Sequence, residues 1–218
     1  MGIECYLRHI TPHWLEQLTS DPTLGLQFVT AITPFVAEDQ WKSMGIDTND
    51  PQQIMDHLSR SGPVSAPLKH HLYEKQAVKA YLKQTFRDEL LRGKLLDTHN
   101  AWDAIHAILS GTTELTGTTL DKVIKSGTKI GNDDNFNYGA PHFLTPAEVK
   151  AVYDAISPIT KTEFRRRFDA LSADEAELVY GFDQDETGFQ HIWNVFRKVV
   201  DHYREAAEEG LAMLVFFA

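Results

Sequence analysis

The chain has 218 residues, 42% of them apolar and 11% aromatic, enough to bury a core in one domain or in one domain with an inserted piece. That composition excludes a disordered chain, and a lone cysteine, Cys5, excludes an internal disulfide and every multi-cysteine metal site. The net charge of −10 is mostly C-terminal: residues 1–100 carry 10 basic and 12 acidic side chains and residues 101–218 carry 11 and 19, a balance that argues against a general nucleic-acid binder.

The first residues, MGIECYLRHI, carry an acid at Glu4 and no basic region ahead of an apolar run, so they do not read as a secretory leader. Tyr6 stands where a myristoylation motif needs Ser or Thr. The longest apolar run, LAMLVFFA, falls far short of the roughly 20 residues that span a bilayer. A soluble cytoplasmic protein is expected.

Along the chain, the alternation of Ile3, Cys5 and Leu7 predicts a first strand with those three residues facing inward. Thr11-Pro12 opens a helix with Trp14, Leu15 and Leu18 on one face, and Asp21-Pro22 stops it. Residues 23–62 have weak periodicity and read as short helices, one of them from about Pro51 to Leu58. Ser61–Pro67 is a linker, and Leu68 to about Leu91 is a long helix without Pro or Gly. A helix from Thr98 to Ser110 follows and ends at Gly111.

Three stretches in the second half, Thr145-Pro146-Ala147-Glu148, Thr160-Lys161-Thr162-Glu163 and Ser172-Ala173-Asp174-Glu175, read as capping boxes that fix three helix starts. From Phe189, the apolar positions Ile192, Trp193, Phe196, Val199, Val200, Tyr203 and Ala207 follow the helical period up to Gly210. Leu211–Phe217 is continuously apolar, hence a strand buried on both faces. Strands at the two chain ends with helices between them predict an α+β fold: a single domain, mostly helical, with a small sheet that includes the N- and C-terminal strands.

The stretch IGNDDNFNYG, Ile130–Gly139, concentrates polar side chains between two glycines. Asp133, Asn135 and Asn137 have the first spacings of a calcium loop, but Tyr138 stands where Gly is needed and Leu144 where Glu is needed. No Gly-Lys-Ser or Gly-Lys-Thr follows, so it is no phosphate cradle either. Two readings stay open. One is an Asx-rich turn packed by Phe136 and Tyr138. The other is a ligand-binding loop built from Asp133, Asp134, Asn135, Tyr138 and His142, with Trp102 and His106 as neighbours.

On the long helix, His71, Lys75, Lys79, Lys83 and Arg87 recur every four residues, opposite the apolar rows Val78, Leu82, Phe86, Leu90 and Tyr73, Ala77, Tyr81. The row is either a solvated face or an interaction surface for an anionic neighbour, for which the acidic stretch Asp169–Glu186 is one candidate. Arg165-Arg166-Arg167 reads as charge capping of a helix C-terminus.

No histidine pair has the spacing of a zinc motif, and no nucleophile elbow or dinucleotide fingerprint is present. Cys5 reads as a small buried hydrophobe and His106 as a core histidine. No complete catalytic set, no metal site and no cofactor is predicted, which leans away from an enzyme.

The order of motifs MGIECYLRHI, LDTHNAWDAIHAILSG, IGNDDNFNYGAPHFLTPAEVKAVYDAI and HYREAAEEGLAMLVFFA resembles the YfbM-like family of small bacterial proteins of unknown function. The resemblance implies a YfbM-like α+β domain over residues 1–218 in a bacterial cytoplasm, with residues about 61–94 a helical insertion relative to shorter members, and it implies no reaction. Where the family tends to have Ile-Tyr-Pro followed by Trp, this chain has Val179-Tyr180-Gly181-Phe182. The leading functional expectation is a non-enzymatic binding or protein-interaction module, of the immunity type, whose acidic surface meets a basic protein partner. The alternative is a small-molecule-binding or metal-dependent enzyme using the Gly131–Gly139 loop.

Overall fold

A computed structural model describes residues 3–21, 24, 28, 87–131 and 139–217. The chain divides into two compact units, one of Met1–Gly25 with Arg92–Ala218 and one of Leu26–Leu91. The expected short helices, the linker at Ser61–Pro67 and nearly all of the long helix lie outside the described residues. So does the row Lys75, Lys79, Lys83; its last member, Arg87, is an exposed residue at the start of the short helix α2, Arg87–Arg92.

The first unit is built on one antiparallel sheet. Strands β1 (Cys5–Ile10), β2 (Leu95–Asp97), β3 (Thr128–Lys129), β4 (His142–Leu144) and β5 (Ala212–Phe217) line up in the order β2-β1-β5-β4-β3. The two terminal strands pair over six positions, from Cys5 opposite Phe217 to Ile10 opposite Ala212. The α+β reading therefore holds, including the terminal strands. Sequence inspection missed β2, β3 and β4, which are two or three residues long and too short to show a period of two. Cys5 and Leu7 face the helical core with Met213 and Val215, while the alternate residues Tyr6, Arg8, Leu214 and Phe216 are also buried. Burial pushes the Cys5 thiol up, out of the range where it would act as a nucleophile.

Helix α1 (Pro12–Ser20) starts where expected, with the Thr11 hydroxyl accepting from the Trp14 amide. It is followed in the described part by α3 (Ala101–Ser110), a 3-10 turn at Thr119–Val123, α4 (Pro146–Ile156), α5 (Lys161–Ala170), α6 (Ala173–Leu178) and the 24-residue α7 (Glu186–Glu209). Helix α7 buries the stripe that its period predicts, including Phe189, Ile192, Trp193, Phe196, Val199 and Tyr203. Phe164 of α5 stacks on Phe196 with ring centroids 4.5 Å apart, and Phe168 meets Phe189 edge-on at 5.3 Å. Such pairs add about 0.5–1.5 kcal/mol each beyond the area they bury. Tyr203 reaches through the core to donate to the Val123 carbonyl at 3.0 Å, tying the 3-10 turn to α7.

Of the three expected capping boxes, one is complete. Thr145 accepts from the Glu148 amide, and the Glu148 carboxylate returns to the Thr145 amide at 2.9 Å. Thr160 and Ser172 each cap a helix with the hydroxyl alone, because their Glu partners are diverted: Glu163 pairs with Arg166 and Arg167, and Glu175 reaches Thr113. The arginine cluster also differs from expectation. All three arginines pair with acids, and Arg167 in addition donates at 2.9 Å to the Leu109 carbonyl and so finishes α3 rather than its own helix.

The difference between the caps is measurable. Thr145→Ala is expected to cost about 1–2 kcal/mol, and Thr160→Ala at most about 1 kcal/mol, since only the first opens a reciprocal pair. Urea denaturation of the two variants, compared at equal m-value, checks the ranking.

Candidate functional site

Helix α3 carries a buried polar group, Asp103 in its first turn and His106 one turn later. Asp103 and His106, three residues apart on this helix, are 6% and 0% exposed. The Asp103 carboxylate accepts from the Tyr180 amide at 2.9 Å and pairs with the Lys125 ammonium at 2.6 Å. Lys125 also donates to the Thr113 carbonyl at 3.0 Å and lies 5.4 Å over the ring of Trp102. The Nε2 atom of His106 faces the Glu114 carbonyl at 3.1 Å, which fixes the proton on that nitrogen. Its Nδ1 has no hydrogen-bond partner among the described residues. Burial, then the charge of Lys125, holds the His106 ring below the usual imidazole range.

This group holds an acidic segment in place. Between Asp169 and Glu186 stand seven acids and no base. Four are committed: Asp169 and Glu186 to Arg165, Glu175 to Thr112 and Thr113, and Asp185 to the first turn of α7. The other three, Asp174, Glu177 and Asp183, are exposed and without a partner among the described residues. Between them the side chains alternate. Val179 is buried and Phe182 packs on Phe168 at 5.3 Å, while Leu178 is 68% and Tyr180 43% exposed. Gly181 makes the turn at φ +62°, where a proline, fixed near −65°, could not follow.

A second group joins β1 to α7. His9 Nε2 donates to the carbonyl of His202 at 2.9 Å, His202 Nε2 donates to the carbonyl of Leu7 at 3.1 Å, and the two rings stack 3.8 Å apart. Glu205, one turn beyond His202, accepts from Lys94 at 2.8 Å. One ligand atom each from His9, His202 and Glu205 lie within 4.8 Å of one another, as do atoms of Glu4, Asp97 and His99 at the far edge of the sheet. These are the groupings among the described residues with the donor chemistry of a metal site.

Of the sequence-derived candidates, Trp102 and His106 share α3, with Asp103 and Lys125 between them. The Trp102 indole donates to the Ile3 carbonyl at 2.8 Å and its ring meets Phe217 edge-on at 5.0 Å, so it clamps both chain ends. His142 is half-buried on β4, opposite Val215 and Lys129. Asp133, Asp134, Asn135 and Tyr138 lie outside the described residues. The flanking Gly131 and Gly139 have φ of 75° and 87°, and the loop joins β3 to β4 as a hairpin connection. Sequence reasoning did not find Lys125, 22 residues from Asp103, or the contribution of His9 to His202. The His202-x-x-Glu205 spacing on α7 was the one legible signal.

A family model, "Domain of unknown function (DUF1877)", matches residues 1–216. The chain belongs to this family. The fold of the DUF1877 chain is similar to that of YfbM from Escherichia coli, solved as a protein of unknown function, with 15% identity, 99% of each chain covered and a TM-score of 0.51. At that identity the likeness speaks to fold alone. No curated protein matches the sequence. Among the described residues no helix is long and apolar enough to cross a membrane.

Two outcomes follow from these groups. Asp103→Ala strands Lys125 and the Tyr180 amide together and is expected to cost on the order of 2–4 kcal/mol. Amide exchange at Tyr180 should accelerate in this variant, which hydrogen-exchange NMR reads directly.

The second outcome concerns acid. Burial, then the neighbouring His9, pulls His202 down to about 3, and burial also lowers His9 and His106. Unfolded imidazoles titrate near 6.5, so the folded state binds fewer protons below that pH. Stability is present in full above about pH 6.5 and falls as pH drops toward 3, by up to about 1.4 kcal/mol per pH unit for each such ring. Urea midpoints measured from pH 7 to 4 should show this slope, reduced in His202→Gln.

Proposed function

We propose that this DUF1877 protein is a non-enzymatic binding module whose acidic segment, residues 172–186, receives a basic protein. The observation that carries this reading is the placement of Leu178 and Tyr180, both exposed, among the unpaired acids Asp174, Glu177 and Asp183. Large apolar anchors with a charged rim are the pattern of a recognition surface: the anchors supply affinity on burial, while the charges steer the encounter and choose the partner. An isolated exposed leucine would need no explanation, but two anchors in a base-free stretch do.

The segment is also preorganised. Ser172 caps α6, Glu175 and Asp103 fix its two ends to the loop after α3 and to α3 itself, and the Gln184 amide donates to the Phe168 and Leu171 carbonyls. A surface held by such bonds loses little conformational entropy on binding, which favours affinity. A partner of the immunity type, in which a small acidic protein covers a basic one, is one form this takes.

The test is an NMR titration with cationic peptides that carry one or two large apolar residues, drawn from an array probed with the labelled protein. Shift changes should centre on Asp174–Asp183. Affinity should drop at least tenfold in Tyr180→Ala or in the pair Asp174→Lys, Glu177→Lys, and should weaken steeply with salt. Binding that leaves these residues unshifted, or that ignores both variants, would overturn the reading.

A further inference from the structure

We propose that His9, His202 and Glu205 form a binding site for a divalent transition-metal ion of the zinc class. The site is distinct from the acidic segment and was not legible as a motif, because one ligand comes from β1 and two from α7.

The backbone sets the tautomers of both rings. A backbone carbonyl only accepts, so the Nε2 atoms of His9 and His202, at 2.9 Å and 3.1 Å from the carbonyls of His202 and Leu7, must both carry protons. In the neutral rings this leaves each Nδ1 with an unprotonated lone pair, and among the described residues no hydrogen bond reaches either one. Metal-binding histidines show this same arrangement, with the far N–H donated to a carbonyl so that tautomer and ring orientation are set in advance. His9 and His202 are 2% and 6% exposed, so the pair is enclosed between strand and helix.

Glu205 supplies the charge. It projects one turn beyond His202 on the same face of α7, and its carboxylate is held by Lys94, whose side chain is 60% exposed and free to swing into water. One ring nitrogen of each histidine and a Glu205 carboxylate oxygen lie within 4.8 Å of one another, against the roughly 3.3 Å separation that Zn–N bonds of about 2.0–2.1 Å impose in a tetrahedron, so ring rotation must bring the Nδ1 atoms onto the ion. The rings are inclined by only 28°, so an ion would open the stack by turning them about their Nε2 hydrogen bonds. Two imidazoles and one carboxylate suit zinc and its neighbours in the first transition row far better than magnesium or calcium. The fourth position would be left to water. Among the described residues, the charges of Arg8 and Lys94 and that of Glu209 also act on the two rings.

The experiment is calorimetric titration of chelator-treated full-length protein with zinc, and with cobalt for its absorption spectrum. One zinc per chain is expected, with no response to magnesium or calcium at the same concentration. His202→Ala should abolish binding. Because that variant removes a buried bond, the half-exposed Glu205→Gln serves as the check that does not threaten the fold, and it should weaken binding at least tenfold. Lys94→Met removes the competing ammonium and should tighten binding, a direction that a purely structural histidine clasp would not produce. His99→Ala should change nothing. Absence of stoichiometric binding, or binding that survives both His202→Ala and Glu205→Gln, or that is lost in His99→Ala, would overturn the proposal.

Discussion

The pairing of β1 with β5 is the constraint on which the rest of the first unit depends. Six residue pairs join residues more than 200 positions apart in sequence, and β5 occupies the middle of the five-stranded sheet. The register of that pairing places Cys5, Leu7, Met213 and Val215 on the face that α7 covers, and a slip of one residue would turn this set away from the core. It also brings His9 beneath His202 and Phe217 beneath Trp102. The clamp that Trp102 makes on Ile3 and Phe217 and the imidazole pair between strand and helix are therefore two consequences of one register.

Helix α3 links this scaffold to the surface. Its apolar face, Ala104, Ile105, Ile108 and Leu109, packs into the core, while Asp103 spends its charge on a neighbour's backbone amide and on Lys125. A buried carboxylate is a poor source of stability in itself, and its value here is positional: it defines where the chain emerges after α6. Glu175 and Arg167 act similarly, each giving up a local helix-capping role for a bond across the fold.

Elements whose cause is local could be read from the sequence. The Thr11-Pro12 start of α1, the Thr145 capping box, the α7 stripe and the apolar C-terminal strand each rest on spacing within a few residues. The short strands β2, β3 and β4 could not be read, since each rests on an edge offered by a strand distant or itself short: β1 for β2, β5 for β4 and β4 for β3. The same division governs the candidate sites. The seven acids of Asp169–Glu186 were visible as composition, but which of them are free depends on Arg165, Thr112 and the end of α6. His202 and Glu205 were one helical turn apart in plain view, and His9 was not connected to them by any local rule.

Because the central strand of the sheet is also the last of its five strands in sequence, the order in which the strands become available matters to this fold. Until residue 217 leaves the ribosome, β1 has only β2 to pair with and β4 has only β3, and both present unpaired edges beside an uncovered α7 stripe. Contacts of such long sequence separation close slowly, so the register that organises the helical core is set late in folding. Damage to β5 would divide the sheet into two fragments, β2-β1 and β4-β3, with no other described strand to join them.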